Sequence, residues 1–203
     1  KTGVSPDAFL VGPVQVAFDK DPARSQAGPM DQWITPKGIQ SNTGELAFSP
    51  ELGFSTINAA RVQGVAAHFG RAPQHQMRDV RFTSGNAFGA AMAVSMDGAP
   101  LKSSKRILLQ YATQSRPTGW QDALAPIKLE DGRTLSGFEV ISYGRAPWQV
   151  IKAQLEVTVN NPGLNTATVL DMNGMPIHTI ALVKSATGVS LRFPANAMYV
   201  MLH

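Results

Sequence analysis

The sequence contains no cysteine. This absence excludes disulfide cross-links, zinc sites with thiolate ligands and cysteine nucleophiles together. Cysteine-free chains are common among exported bacterial proteins, because they cannot form wrong disulfides in an oxidising space, although many cytosolic domains lack cysteine too. We therefore expect a secreted or periplasmic location.

Clustered charge and long apolar runs are also lacking. Charged residues make up 16% of the 203 residues, and the net charge of +4 is scattered along the chain. Nucleic-acid surfaces need clustered cations with aromatic platforms, so we predict no nucleic-acid partner. No apolar stretch approaches the roughly 20 residues of a membrane span, so we predict no membrane partner. The opening KTGVSPDAFL has no signal-peptide features, which is typical of a mature chain or a piece of a longer one.

What is present is alternation of apolar and polar residues. The segment QLEVTVN places Leu155, Val157 and Val159 on one face of a strand. Similar β-type segments are VGPVQVAF, ELAF, DVRFTS, RILLQYAT, FEVISY, ATVLDM, GVSLRF and AMYVML. Turn-forming residues separate them about every 8 to 12 residues. The pattern predicts an all-β fold, an antiparallel sandwich of immunoglobulin-like or Greek-key type, built as one sandwich or two packed sub-sandwiches.

One segment, INAARVQGVAAHF, does not fit this pattern. Its apolar residues Val62, Val65, Ala66 and Phe69 follow helical spacing. Gly64 lies in the middle, where it costs a helix roughly 1 kcal/mol relative to alanine. Periodicity alone leaves helix and strand equally open.

Two similar segments, SMDGAPL and DMNGMPI, raise the question of a metal-binding loop. Asp97-Gly98, Asn173-Gly174 and a third pair, Asp131-Gly132, are strong signals for type I′ hairpin turns. A calcium loop needs further oxygen ligands and a closing glutamate, which these segments lack. We therefore predict hairpins and no metal.

The residues usual in catalysis form no recognisable motif. The chain has no GxSxG elbow, phosphate loop, dinucleotide fingerprint or paired-histidine zinc spacing. Its five glutamates are expected to be solvated surface carboxylates. They are Glu45, Glu51, Glu130, Glu139 and Glu156. We predict no catalytic residue and no cofactor in this chain.

Three aromatic residues raise the hypothesis of sugar binding. Sugar-binding modules stack sugar rings on exposed tryptophans, and Trp120, Trp148 and Tyr143 lie in or beside proline-bearing loop segments. The favoured alternative is that the tryptophans, Trp33 included, are buried plugs of a sandwich. A third hypothesis, a self-contained β-sandwich hydrolase or lyase, has Tyr143-Gly144-Arg145 as its only local support.

A long central segment resembles a known group of proteins. In VRFTSGNAFGAAMAVSMDGAPLKSSKRILLQYATQSRPTGW, the chain is similar to the β-sandwich region that follows the (β/α)8 catalytic barrel of a group of bacterial glycoside hydrolases. The matching positions are Asn86, Phe88, Ser95, Asp97, Gly98, Pro100, Ser104, Arg106, Ile107, Leu108, Arg116, Pro117, Thr118, Gly119 and Trp120. Met96 departs from the usual leucine, which is a volume-conserving change.

The resemblance implies an accessory domain without chemistry of its own. It favours strand for the ambiguous segment around Gly64. For the domain organisation we predict a lead-in with a first strand at 1–30 and a sandwich at 31–203, with a possible sub-boundary near 116–136. The expected partner is a catalytic barrel, in cis or as a separated chain, in a polysaccharide-degrading enzyme. The alternative is a carbohydrate-binding module, whose partner is a poly- or oligosaccharide. The family's catalytic glutamates lie on the barrel, so none is carried over to this chain.

Overall fold

The computed structural model describes residues 7–14, 18, 30 and 32–203 of the chain. Within them the chain forms one four-residue helix and 17 strands. The elements are α1 Ala8–Val11, β1 Ile34–Thr35, β2 Gly38–Gln40, β3 Leu46–Ser49, β4 Phe54–Asn58, β5 Val62–Ala67, β6 Gln74–Gln76, β7 Val80–Ser84, β8 Gly89–Ser95, β9 Ile107–Ala112, β10 Ser115–Lys128, β11 Thr134–Val150, β12 Leu155–Val159, β13 Thr166–Leu170, β14 Pro176–Ala181, β15 Val183–Lys184, β16 Val189–Arg192 and β17 Tyr199–Leu202. Most of the predicted lead-in and part of VGPVQVAF lie outside the described residues. No helix in the described part is long and apolar enough to cross a membrane.

The chain divides into two compact units. The first contains Lys1–Ala112 and Ala153–His203, and the second is Thr113–Lys152. In the first unit, a ten-stranded sheet has the order β1-β2-β3-β4-β5-β8-β9-β17-β13-β14, and a five-stranded sheet has the order β15-β16-β12-β7-β6. Neighbouring strands are antiparallel throughout. The predicted all-β antiparallel sandwich is confirmed.

The two sheets share one hydrophobic core. Leu155, Val157 and Val159 on β12 are all buried, as the alternation in QLEVTVN predicts. They belong to the same cluster as Val65 from the ten-stranded sheet and Phe82 from the five-stranded sheet. Burying each such side chain stabilises the fold by about 1.5 to 3 kcal/mol. There is one sandwich rather than two, because Thr113–Lys152 forms only a two-stranded ribbon.

The ambiguous segment is a pair of strands, β4 and β5. Gln63 lies on β5 between apolar residues and is fully buried. Its side chain accepts hydrogen bonds from the backbone N–H groups of Asp79 and Val80 and donates one to the Asp79 carboxylate, each 2.8 to 3.0 Å long. A polar residue therefore occupies a core position and conceals the period-two alternation.

Two of the predicted Gly-containing turns close hairpins, but their type is not I′. Asn173-Gly174 joins the antiparallel strands β13 and β14, and Asp131-Gly132 joins β10 and β11. Among the described residues only glycines have positive φ, with 81° at Gly174 and 85° at Gly132, whereas type I′ needs two such residues. Acidic side chains close these turns instead: the Asp171 carboxylate accepts the N–H of Asn173, and Asp131 accepts that of Arg133.

The third predicted turn belongs to a longer loop between β8 and β9. Asp97 accepts hydrogen bonds from the hydroxyls of Ser95 and Ser104 and from the backbone N–H groups of Ala99 and Lys105. These bonds, above all the one from Lys105, hold the pKa of the Asp97 carboxyl well below its usual range. The acidic residue of SMDGAPL therefore organises its own loop.

Candidate functional site

The three candidate sugar-stacking residues, Trp120, Trp148 and Tyr143, all lie on the second unit, which is a long antiparallel hairpin. Strand β10 pairs with β11 from Ser115 opposite Val150 to Lys128 opposite Thr134. The register shifts twice, once between Pro117 and Thr118 and once after Gln121. The hairpin brings Trp120 directly opposite Tyr143, and Trp148 opposite Pro117.

The first register shift is built by the motifs RPTGW and YGRAPW. Gly119 and Gly144 both have positive φ, of 79° and 65°. A Cβ on Gly144 would lie 2.6 Å from the carbonyl oxygen of Thr118, so only glycine allows the two backbones to approach there. The Thr118 hydroxyl donates a 2.7 Å hydrogen bond to the carbonyl of Pro147, which follows a cis peptide bond from Ala146.

Trp120 is already engaged on the hairpin. The Arg116 guanidinium lies over its ring, 5.1 Å from the centroid. The indole N–H donates a 2.7 Å hydrogen bond to the Asp122 carboxylate, and the Tyr143 ring packs against Trp120 edge to face at 5.9 Å and 82°. Because its N–H group and one ring face are occupied, Trp120 mainly holds Arg116, Asp122 and Tyr143 in position on the hairpin.

The exposure of the other two rings corrects one interpretation. Trp148 is 67% exposed and Tyr143 is 75% exposed, so the expectation that Trp148 is a buried plug is wrong. Trp120 is partly buried. The reason is that a two-stranded ribbon has no second sheet to cover a large side chain. The rings of Trp120 and Tyr143 are close to perpendicular, so this pair does not form the coplanar platform typical of a sugar-stacking surface.

A set of exposed aliphatic and aromatic side chains continues along the hairpin. Leu124 is 73% exposed and pairs across the strands with Phe138, which is 65% exposed. Ile141 and Tyr143 are exposed as well. We call these four residues, Leu124, Phe138, Ile141 and Tyr143, the hairpin apolar surface. The sequence predicts a strand at FEVISY but does not predict this exposed surface.

A hydrogen-bond network joins the two segments of the sandwich that precede and follow the hairpin in the chain. Tyr111, near the end of β9, shares a 2.7 Å hydrogen bond with the Ser84 hydroxyl and donates one of 2.9 Å to the side-chain oxygen Oδ1 of Asn86. That oxygen also accepts the backbone N–H of Gln154, just after the hairpin. Burial raises the pKa of the Tyr111 hydroxyl. Asn86, a residue of the family-like motif, therefore has a structural role.

The residue types of catalysis are dispersed. All five glutamates are exposed, as expected for solvated carboxylates. Within the described ranges, no three His, Asp or Glu side chains are grouped so that they could hold a metal ion. Tyr143 and Arg145, which a lyase would use, lie on the exposed hairpin, where the tyrosine ring contacts Trp120.

Comparison with known proteins gives no relative. No protein family, curated protein or solved structure matches this chain.

Proposed function

We propose that this chain is a non-catalytic accessory domain of a glycoside hydrolase, and that it docks on the (β/α)8 catalytic barrel through the hairpin apolar surface. The barrel as partner comes from the resemblance of the central segment to post-barrel sandwiches. The observation that carries the docking role is the exposure of Leu124 and Phe138 as a cross-strand pair.

The chemistry of this surface favours a protein partner. Leucine and isoleucine side chains offer no stacking face to a sugar, whereas the fully buried core of a protein interface is more apolar than the rest of a protein surface and is enriched in aromatic residues such as Phe138. Contiguous exposed apolar residues on a folded domain mark interaction sites. Asp122, which is exposed and lies between Trp120 and Leu124 on the same face of β10, adds a polar group beside these apolar residues.

Binding of a barrel domain to charge-substituted variants tests this proposal. The candidate barrels are those encoded by the same gene or a neighbouring gene, and calorimetric titration measures the affinity. Phe138→Lys places a charge in the cross-strand pair with Leu124 and should weaken binding by at least about 2 kcal/mol, or roughly 30-fold. Met172→Lys is the matched control, since Met172 is equally exposed but lies on the β13–β14 turn. Equal binding by the two variants contradicts the proposal.

A second candidate function is carbohydrate binding by Trp148 and Tyr143. The observation in its favour is the high exposure of both rings. Titration of the chain with plant and algal polysaccharides, followed by tryptophan fluorescence and by release of reducing sugar, separates the alternatives. Saturable quenching that Trp148→Ala abolishes supports this second function. Sugar release by the chain alone contradicts both.

A further inference from the structure

A cleft lies at one side of the sandwich, where the ten-stranded sheet continues past the last strand of the five-stranded sheet. The five-stranded sheet ends at β6, whereas the other sheet continues through β4, β3 and β2. The cleft encloses about 290 Å³ and is lined by residues from all four strands. We call it the inter-sheet cleft.

The floor of the cleft is a row of side chains in register. Gln40 on β2 pairs with Ala47 on β3, and Ala47 pairs with Thr56 on β4. Side chains at directly paired positions lie on the same face of a sheet, so these three form one row on the face that meets β6. The row carries an amide and a hydroxyl separated by one methyl group.

The remaining lining is rich in amides. Asn58 lies on β4, and Gln74 and Gln76 lie on β6. Asn58 uses its carbonyl oxygen to accept the backbone N–H of Arg78, and Gln76 donates its amide N–H to the carbonyl of Met77. Asn58 therefore keeps its amide N–H groups for a ligand, whereas Gln74 and Gln76 are exposed and face away from His75, which lies between them on β6. Glu45 is the single acidic residue among the described residues that line the cleft, and no lysine or arginine lines it.

His75, which also lines the cleft, has an unused acceptor. It is only 7% exposed, and its Nε2 is buried without a hydrogen-bond partner among the described residues. Its ring packs edge to face against Phe54 at 5.1 Å and Phe69 at 5.5 Å. Burial lowers the pKa of His75, which favours the neutral ring, and its other polar contact is a hydrogen bond with the backbone of Ala72. An unpaired buried acceptor is costly unless a donor reaches it.

We propose that the inter-sheet cleft binds a neutral, hydroxyl-rich ring, such as a single sugar unit, with a ligand hydroxyl donating to His75 Nε2. Hydroxyl groups both donate and accept, so they match amides that present both functions. The volume lies just below the range of about 300 to 1,000 Å³ usual for ligand pockets, which limits the ligand to about one ring. The lining carries one carboxylate, and the nearby Arg78 guanidinium already donates to the Asn58 backbone carbonyl, so anionic ligands are disfavoured.

This site contains no residue of the hairpin, because every described residue that lines it belongs to the first unit. Failure of the docking proposal therefore leaves it intact, and the reverse also holds. Trp148→Ala, which tests the second candidate function, should leave binding in the cleft unchanged.

The experiment titrates the full chain with glucose, galactose, mannose, xylose and glucuronate and records the nitrogen and carbon shifts of the histidine rings by NMR. We expect at least one neutral sugar to bind with a Kd in the range of about 1 to 10 mM and to shift the Nε2 resonance of His75. Glucuronate should bind at least about tenfold more weakly.

Three variants locate the binding. Gln40→Ala and Thr56→Val should each weaken it by about tenfold, the effect of one lost hydrogen bond. Ser55→Ala is the matched control, because Ser55 precedes Thr56 on β4 and faces the opposite side of the sheet. Thermal unfolding checks that each variant is folded. The proposal is overturned if no sugar binds up to about 50 mM, well above the expected Kd. It is overturned equally if Gln40→Ala and Thr56→Val bind as well as Ser55→Ala.

Discussion

The sandwich and the hairpin are both antiparallel β structure, yet large apolar side chains are buried in the sandwich and exposed on the hairpin. In the sandwich Phe82 on β7 is 0% exposed, whereas on the hairpin Phe138 is 65% exposed. The sandwich has two sheets that cover one another, but a ribbon of two strands has two faces and nothing in its own unit to cover either. Isolated two-stranded hairpins are marginally stable at best. Alternation of apolar and polar residues therefore predicts a strand, whereas burial of its apolar face depends on what lies opposite that face.

The largest expected difference between the two regions is in stability. Phe82→Ala leaves a cavity in the shared core and should lower the free energy of unfolding by about 3 to 5 kcal/mol. Phe138→Ala removes an exposed ring and should change it by no more than about 0.5 kcal/mol. Urea unfolding of both variants measures the contrast. Similar losses in the two variants would show that the hairpin ring contributes to the core.

A smaller effect is expected at the junction residue Tyr111. Tyr111→Phe removes the hydroxyl that bonds to Ser84 and Asn86 and leaves those buried groups short of a partner. The expected loss of unfolding free energy is about 1 to 3 kcal/mol. Tyr143→Phe is the control, since that hydroxyl is on an exposed ring, and it should have no measurable effect. Equal stability of Tyr111→Phe and the wild type would show that the hydrogen bonds of the Tyr111 hydroxyl do not stabilise the fold.

The smallest effect concerns pH and the loop of Asp97. The pKa of this carboxyl is lower in the folded chain than in the unfolded chain, so its ionised form stabilises the fold above about pH 4. That contribution is lost as pH falls through the folded pKa, because the unfolded chain binds the proton more readily. Asp97→Asn should therefore have a lower free energy of unfolding than the wild type at pH 7. The difference between the two free energies should narrow below about pH 4. Urea unfolding of both proteins at a series of pH values measures this difference. A difference that stays constant with pH would contradict the stabilising role of the Asp97 carboxylate.

Much of the sandwich could be predicted from sequence, because its strands bury one face. The alternation at Leu155, Val157 and Val159 corresponds directly to burial against the opposite sheet. Around Gly64 periodicity leaves helix and strand equally open, since Gln63 takes a core position through hydrogen bonds to residues 16 and 17 positions away. Such a long-range partner leaves no local pattern.

The candidate sites could be predicted only in part. Trp148 and Tyr143 were identified as aromatic residues in turn-rich sequence, but their exposure depends on the hairpin having no covering sheet. Leu124 and Phe138 face each other only because of the register of β10 and β11, which a bulge shifts. The inter-sheet cleft depends on one sheet having more strands than the other, and no local segment encodes that difference.

Hydrogen–deuterium exchange of the full chain, with and without a candidate catalytic barrel domain, tests whether the hairpin is the docking element. If the hairpin is the docking element, added barrel should slow amide exchange in Thr113–Lys152, most strongly around Leu124 and Phe138, and leave β7 and β12 unchanged. Phe138→Lys should abolish that protection, and Met172→Lys should retain it. Protection confined to the sandwich, or no protection with any candidate barrel at saturating concentration, would contradict the account.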